Sequence, residues 1–279
     1  MGKISAMLEL MRLKNCAMAA IGAAIGYLIS FPEISLTVLV AMAAVFLVCA
    51  GGQAINDVFD AKIDSKISKH KPIPSKRISK REALIFSIFL FAAGIAISCL
   101  INPAALLIAS GFSLLLILYS ALLYRAKYLG NFVVAAGTAF TFIFGAASAS
   151  NGITPLIILF ALSAMFANLA RELTKDFEDI KKDKGFKVSL PMKWPIAAKL
   201  MALLDYVIAI VFSVFAFALF NLGSIYAALV VAAGVLFCYS ASMLFKGKYE
   251  KSQRFSKTGM LISLIAYASV VIYSIGGIL

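Results

Sequence analysis

Residues 41–64 read AMAAVFLVCAGGQAINDVFDAKID, an apolar run that ends in three aspartates, Asp57, Asp60 and Asp64, spaced D-x2-D-x3-D. A second stretch, KDFEDIKKD at 175–183, repeats this spacing at Asp176, Asp179 and Asp183. Residues three and seven positions apart on an α-helix lie within an arc of about 60°, so each triplet would direct its carboxylates to one side. Because like charges at this spacing repel each other, the pattern predicts a bound cation.

The composition is that of an integral membrane protein. Of the 279 residues, 62% are hydrophobic and only 14% are charged, whereas soluble domains carry about 25% charged residues. The mean hydropathy is +0.97. The four cysteines lie singly in apolar segments, which excludes a disulfide framework and a thiolate metal site. We therefore expect an all-α, polytopic membrane protein in which residues 1–279 form one transmembrane domain.

Apolar runs of about 20 residues, each long enough to cross a bilayer as a helix, predict nine transmembrane helices. Prolines and short polar turns separate these runs. The predicted spans are 16–31, 35–56, 82–101, 104–124, 130–149, 154–174, 195–220, 223–245 and 257–277. We expect the nine helices to surround a central cavity, with a polar cap on the cytoplasmic side.

Lysine and arginine residues mark one side of the membrane. In a nine-span topology all 26 of them fall on the same side. Because positively charged loops are cytoplasmic, we expect a protein of the cell membrane with a cytoplasmic N-terminus and active site and an extracellular C-terminus. The net charge of +13 does not indicate nucleic acid, since the basic residues flank membrane spans. Anionic headgroups of the lipid bilayer and phosphorylated substrates are the expected partners.

Both acidic triplets follow an apolar span on this predicted cytoplasmic side, one after the second span and one after the sixth, so they can face each other. Carboxylates and the neighbouring Asn56 amide are hard oxygen ligands of the kind that Mg2+ binds, together with water and phosphate oxygens. Two such clusters indicate a polyphosphate held through metal. The cations that could neutralise its remaining oxygens are Arg12, Lys14, Lys71, Lys76, Arg77, Arg125, Lys127, Arg171 and Lys175.

The chain resembles the UbiA superfamily of intramembrane prenyltransferases. That family has an N-D-x-x-D-x-x-x-D motif after its second helix and an acidic motif after its sixth, matched here by residues 56–64 and 176–183. The resemblance implies nine membrane helices and Mg2+-dependent transfer from a prenyl diphosphate. It implies that the metal ligands are Asn56, Asp60, Asp64, Asp176, Asp179 and Asp183, and that Asp57 joins them in the catalytic set.

Two further stretches narrow this resemblance. MRLKNCAMAAIGAAIG at 11–26 and HKPIPSKRIS at 70–79 are similar to the branch of the family that attaches the second isoprenoid chain of archaeal ether lipids. The resemblance implies that geranylgeranyl diphosphate donates its C20 chain to a prenylated glycerol phosphate, geranylgeranylglyceryl phosphate. The chain departs from the family pattern at Lys71, where arginine is usual, and at Lys76, where glycine is frequent.

The implied chemistry needs no enzymic nucleophile. Metal ions would draw charge onto the departing diphosphate, so that the allylic C–O bond ionises towards a carbocation that the acceptor hydroxyl captures. Tyr119 and Tyr124 lie near the cytoplasmic end of the fourth span. An aromatic face there could stabilise the cation, although either tyrosine could equally belong to an interfacial belt.

Two other functions fit the same motifs. An aromatic prenyltransferase of quinone or haem biosynthesis would use an identical donor site, and only the basic surplus with the segment Arg12-x-Lys14-Asn15 favours a phosphorylated acceptor. A transporter or binding protein for a phospholipid-type molecule would use the acidic pair without chemistry. Transporters usually place coupling residues at the bilayer midplane, whereas these clusters lie at one side. We therefore expect an enzyme.

Overall fold

The computed structural model describes residues 2–123, 127–183, 185 and 188–275, without the side chains of residues 123, 127, 128, 181–183 and 274. Within this part of the chain there are eleven α-helices and one π-helical turn, Tyr119–Leu123. The helices are α1 (Lys3–Met11), α2 (Leu13–Ser30), α3 (Leu36–Ile67), α4 (Lys80–Cys99), α5 (Pro103–Leu118), α6 (Lys127–Ala147), α7 (Pro155–Asp183), α8 (Leu190–Lys193), α9 (Pro195–Phe220), α10 (Gly223–Phe245) and α11 (Tyr249–Ile275).

Nine helices in the described residues are long and apolar enough to cross a membrane, which confirms the predicted all-α fold and the predicted number of spans. They are α2 to α7 and α9 to α11, and each predicted span falls on one of them. Two shorter helices complete the set, since α1 precedes the first span and α8 precedes α9. The central cavity stays a prediction.

Three helices extend beyond the predicted span boundaries by two turns or more. The sequence predicts that the second span ends at residue 56 and the sixth at residue 174, but α3 continues to Ile67 and α7 to Asp183. The last helix begins at Tyr249 rather than at residue 257. Apolar runs mark the hydrocarbon region only, whereas polar residues with good helix propensity continue the helix beyond it. Both acidic triplets therefore lie within the last turns of long helices.

The helices form two halves that share α2. In the first half α3 packs against α2 and α4, and α6 packs against α2 and α7. In the second half α7 contacts α9 and α11, while α11 contacts α10 and returns to α2. One apolar cluster fills the second half around Phe160 and Tyr267, and another fills the first half around Phe91 and Phe144.

Polar contacts connect the helix ends near the aspartates. Because successive spans reverse direction, the ends of α3 and α7, which are the second and sixth spans, lie at the same end of the bundle. The starts of α2, α6 and α11 meet them there through the side-chain contacts Arg12–Asp57, Asn131–Asp176 and Gln253–Glu178. Lys3 of α1 pairs with Glu82 at the start of α4. The two acidic clusters thus share one polar end, as the sequence predicts.

Glycines allow the backbones of α2 and α6 to come into contact. A Cβ atom added at Gly145 would overlap the carbonyl oxygen of Ala23, and one added at Gly26 would overlap the carbonyl oxygen of Phe142. Small residues permit such close packing in membranes, where van der Waals contact rather than the hydrophobic effect holds helices together. This contact fixes α6 against α2.

We expect Gly145→Ala to destabilise the fold, because the methyl group would force α2 and α6 apart, and overpacking of this kind costs about 1–3 kcal/mol. The melting temperature of the purified protein in detergent should fall by several degrees. Gly111→Ala is the matched control, since nothing lies within 4 Å of a Cβ added at that glycine of α5 and alanine favours a helix more than glycine does. An equal loss in both variants would contradict the backbone contact.

Candidate active site

Three carboxylates are buried on one face at the end of α3. Asp57, Asp60 and Asp64 are 5%, 8% and 5% exposed. Asn56 lies beside them, and its Nδ2 donates a hydrogen bond of 3.4 Å to Oδ2 of Asp60. The helix holds these side chains at fixed spacing. Because buried charges are unfavourable unless they are paired, the cluster requires cations nearby.

Arg12 and Lys71 provide positive charge at the first cluster. Nη2 of Arg12 donates to Oδ1 of Asp57 at 2.8 Å. Nζ of Lys71 lies 2.8 Å from Oδ2 of Asp64 and 3.4 Å from Oδ1 of Asp57. Arg12 separates α1 from α2 and has a left-handed backbone with φ of 51°, a conformation that residues other than glycine seldom adopt. The break between these helices therefore lies over the end of α3.

Three other predicted phosphate-binding cations of this region do not contact the aspartates. Arg77 forms an ion pair of 2.6 Å with Glu9 and donates to a backbone oxygen of its own loop. The hydrogen bond to Glu9 raises the pKa of Arg77. Lys14 and Lys76 are exposed, and the phosphate-binding role of all three stays a prediction. Arg77 holds the loop after α3 against α1, and the same loop carries Lys71.

The second cluster lies on α7 and is supported by α6. Asp176 is fully buried, and its Oδ2 accepts a hydrogen bond of 2.7 Å from Nδ2 of Asn131. Asp179 is half-buried about one turn later. The side chain of Asp183 lies outside the described residues, so its role stays a prediction. Asn131 orients a carboxylate that the sequence predicts as a metal ligand.

Two polar residues extend this face of α7 towards the membrane interior. Glu172 and Asn168 are buried, and together with Asp176 they repeat every four residues, a spacing that keeps them on one helix face. Arg171 forms an ion pair with Glu172, and its Nε donates to Oδ1 of Asn168 at 3.0 Å. Nζ of Lys175 lies 3.4 Å from Oε2 of Glu172. Both predicted cations of α7 therefore contact its polar face.

The sequence analysis missed Asn131, Asn168 and Glu172 as site residues. The repeat Asn168-x3-Glu172-x3-Asp176 is present in the sequence. Glu172 also lies inside the predicted sixth span, where an ionisable residue is functional by default. Asn131 carries no such signal, because a single asparagine in an apolar segment does not reveal a partner 45 residues away.

Tyr119 begins the π-helical turn that follows α5. Its ring lies against α6, since a Cβ atom added at Gly130 would overlap ring atoms of Tyr119. Gly130 precedes Asn131, so the ring is close to the residue that contacts Asp176. Turns of this kind occur frequently at functional sites. Three other predicted site groups lie outside the described residues, namely Tyr124, Arg125 and the side chain of Lys127.

The residue types of both clusters fit a divalent metal. Among the residues that the structure describes, no three acidic, histidine or cysteine side chains form a ready-made metal cage. Mg2+ does not need one, because it binds through one or two carboxylates and completes an octahedral shell with water and substrate phosphate oxygens. The carboxylates of α3 and α7 and the amide of Asn56 are hard oxygen donors of this kind.

The family model of the UbiA prenyltransferase family matches residues 16–269, which is most of the chain. The chain belongs to this family. The resemblance indicated by the two aspartate motifs is therefore confirmed. Family membership and the nine apolar helices show that the chain is a multi-pass membrane protein of a prenyltransferase family.

Curated relatives match this UbiA family member along nearly its whole length. Digeranylgeranylglyceryl phosphate synthase of Methanocaldococcus jannaschii is 36% identical over 274 residues, covering 96% of each chain. The synthase of the same name from Methanopyrus kandleri is also 36% identical, with 94% of this chain and 97% of its own covered. That of Methanosarcina mazei is 39% identical, with 95% and 97% covered.

Solved structures share the fold. A structure of digeranylgeranylglyceryl phosphate synthase has a TM-score of 0.80 and 34% identity, and the match covers 99% of this chain and 100% of the other. A UbiA homologue from Archaeoglobus fulgidus bound to DMAPP and Mg2+ has a TM-score of 0.68 at 18% identity, with 92% of this chain and 98% of the other covered. At that identity the second match shows the fold alone.

Proposed function

We propose that the chain transfers the geranylgeranyl group of geranylgeranyl diphosphate to geranylgeranylglyceryl phosphate, which yields digeranylgeranylglyceryl phosphate and diphosphate. One observation carries the proposal: two acidic clusters lie at one end of the bundle, the first buried and in contact with Arg12 and Lys71, the second with Asp176 buried and with Lys175 next to it in the chain. The names of the relatives that match along the whole chain support the acceptor. Membership of a prenyltransferase family supports chemistry rather than transport.

The donor diphosphate would bind between the two clusters. The groups that would hold Mg2+ are Asn56, Asp60, Asp64, Asp176, Asp179 and Asp183. Bound Mg2+ would neutralise oxygen charge and make the diphosphate a better leaving group. Arg12 and Lys71 lie against the α3 carboxylates, and Arg171 and Lys175 lie on the polar face of α7. These side chains can hydrogen-bond the phosphate oxygens that remain.

Contacts among the polar side chains of both clusters would fix the positions of the groups that bind the metal and the diphosphate. Asn131 orients Asp176, Asn56 contacts Asp60, and Asp57 would hold Arg12 in place. Because the carboxylates are buried, their interactions with a bound anion and its counterions are stronger than in bulk water.

The reaction exchanges one carbon–oxygen bond for another. The acceptor oxygen bonds to C1 of the prenyl chain, the bond between C1 and the diphosphate breaks, and the diphosphate leaves with the electron pair. The hydroxyl proton passes to the diphosphate. Tyr119, whose ring packs beside α6 near Asn131, would face the allylic cation that develops at C1.

Asp60→Ala and Asp179→Ala should each lower turnover roughly 100-fold or more, because each removes a proposed oxygen donor. The measurement is diphosphate release from geranylgeranyl diphosphate by the purified protein in the presence of geranylgeranylglyceryl phosphate, with MgCl2 or EDTA. EDTA should abolish turnover and Mg2+ should restore it. Glu33→Ala removes an exposed carboxylate between α2 and α3 and is the matched control. Full activity in either aspartate variant would contradict the metal assignment.

The acceptor is tested with radiolabelled geranylgeranyl diphosphate and a panel of glycerol phosphate, geranylgeranylglyceryl phosphate and aromatic acceptors. We expect the prenylated glycerol phosphate to give by far the fastest product formation. Product from an aromatic acceptor alone would indicate an enzyme of quinone or haem biosynthesis instead. Binding of the substrates without any product would favour a transporter or binding protein.

We also propose a cytoplasmic N-terminus and active site and an extracellular C-terminus, because the 26 basic residues favour that orientation. Cys99 is exposed at the end of α4 opposite the clusters. A membrane-impermeant maleimide should label it in right-side-out vesicles, and Cys99→Ser should remove that label. Lys69→Cys in the Cys99→Ser background places a thiol in the exposed loop after α3 and should be labelled only in inside-out vesicles. The opposite pattern would disprove the orientation.

A further inference from the structure

A polar cleft lies between the end of α7 and the start of α11, beside the second acidic cluster. Its volume is about 430 Å³. Among the residues that the structure describes, those that line it come from these two helices and are Lys175, Glu178, Asp179, Glu250, Gln253, Arg254 and Lys257. Asp179 belongs to the second aspartate triplet, so the cleft opens directly beside the proposed donor site.

The two walls of the cleft are firmly joined. Nε2 of Gln253, which is buried, donates to Oε2 of Glu178 at 2.7 Å. The rings of Phe177 and Tyr249 stack with centroids 5.3 Å apart. α7 ends and α11 begins at this end of the bundle, so the two helices are antiparallel. Starting from the Gln253–Glu178 contact, one turn forward along α11 therefore lies opposite one turn back along α7. Lys257 therefore comes approximately level with Lys175.

On the α11 side, the cleft is lined by two cations that form no ion pair within the described part of the chain. Arg254 and Lys257 are three positions apart and so lie on one helix face. Neither forms an ion pair with a residue that the structure describes. Lys175 adds a third cation from α7, where it contacts Glu172. Arg254 and Lys257 repel each other at this spacing, so an anion bound between them would relieve this repulsion.

Three acidic residues also line the cleft, and their interactions and positions are compatible with a bound anion near Arg254 and Lys257. Glu178 accepts the hydrogen bond from Gln253. Asp179 is a proposed metal ligand, so bound Mg2+ would offset its charge. Glu250 lies in the first turn of α11, one turn nearer the helix start than Arg254 and two turns nearer than Lys257. The two unpaired cations, which are both exposed, therefore lie further along α11 than Glu250 does.

We propose that this cleft binds the phosphate monoester of the acceptor, an inference that rests on the proposed function and names the subsite for its second substrate. The donor diphosphate is accounted for by the aspartates with Arg12, Lys71, Arg171 and Lys175. A phosphorylated acceptor brings a second anion that needs its own cations, and Arg254 and Lys257 are the cations of the cleft that the donor does not use. Beyond Lys257, α11 continues as the apolar segment 259–271. α11 is therefore basic at its start and apolar beyond it. A lipid whose phosphate lies at Lys257 and whose chain follows the apolar part of the helix would match this change from charged to apolar.

The test compares two double variants that each remove two positive charges at or just before the start of α11. Arg254→Gln with Lys257→Gln removes the cations of the cleft. Lys248→Gln with Lys251→Gln removes two exposed lysines that do not line it. In the purified full-length protein, the first variant should raise KM for geranylgeranylglyceryl phosphate roughly tenfold or more and leave KM for geranylgeranyl diphosphate within about twofold. The second variant should change neither constant.

Two further measurements separate phosphate binding from a structural effect. Arg254→Lys with Lys257→Arg keeps both charges and should keep KM for the acceptor near that of the unaltered protein. The unaltered protein should prefer the phosphorylated acceptor over geranylgeranylglycerol, and the glutamine variant should lose most of this preference. Melting temperatures of all variants show whether the fold is retained, and the single glutamine variants replace the double one if it is not.

The outcomes distinguish the two proposals. If the unaltered protein forms no product with any phosphorylated acceptor, the proposed function fails, and the subsite fails with it. If the protein forms that product but the cleft variants keep the acceptor KM, the subsite alone is wrong. A selective rise in KM for geranylgeranyl diphosphate would assign the cleft to the donor and would overturn the proposal.

Discussion

The burial of carboxylates at one end of the helix bundle is the constraint on which the polar end of the structure depends. A buried charge that loses its partner destabilises a protein by several kcal/mol, so each buried aspartate determines where its neighbours must lie. Arg12 has to reach Asp57 from the break between α1 and α2. Lys71 has to reach Asp64 from the loop after α3. The ion pair Glu9–Arg77 then holds this loop against α1, and Lys3–Glu82 joins α1 to the start of α4.

The backbone contact between α2 and α6 serves the same constraint from inside the membrane. α2 starts beside Arg12, and α6 carries Asn131 near its start. Because Gly26 and Gly145 bring these helices into contact, the residue that pairs with Asp57 and the residue that orients Asp176 are held on neighbouring helices. The geometry of a site at the membrane boundary thus depends on residues deep in the apolar part, which no ligand would touch.

Much of the fold and part of the candidate site can be predicted from the sequence, for identifiable physical reasons. Long apolar runs and one-sided basic residues predict nine spans because the bilayer imposes length and polarity on every helix. The aspartate spacing predicts two acidic faces because helix geometry is fixed. Ends such as Ile67 and Asp183 cannot be predicted this way, since polar residues leave the hydrocarbon without ending a helix. Pairings such as Asn131–Asp176 depend on tertiary packing. A binding role for the basic residues of α11 cannot be predicted from the sequence either. Basic residues at a cytoplasmic helix end are expected in any membrane protein, because they determine its orientation.

The positions of the ion pairs along the chain bear on how the molecule is made. The contacts described for the first cluster involve only residues 12–71. When the ribosome inserts the chain from its N-terminus, these contacts can therefore form while later spans are still unsynthesised. The second cluster gains Asn131 before its own helix is made, but Gln253 of the final span reaches Glu178 only at the end of synthesis. During biogenesis the contacts of Arg12 and Lys71 with the first cluster can thus form early, whereas the contact beside the second cluster between Gln253 and Glu178 forms only when the last helix enters the membrane.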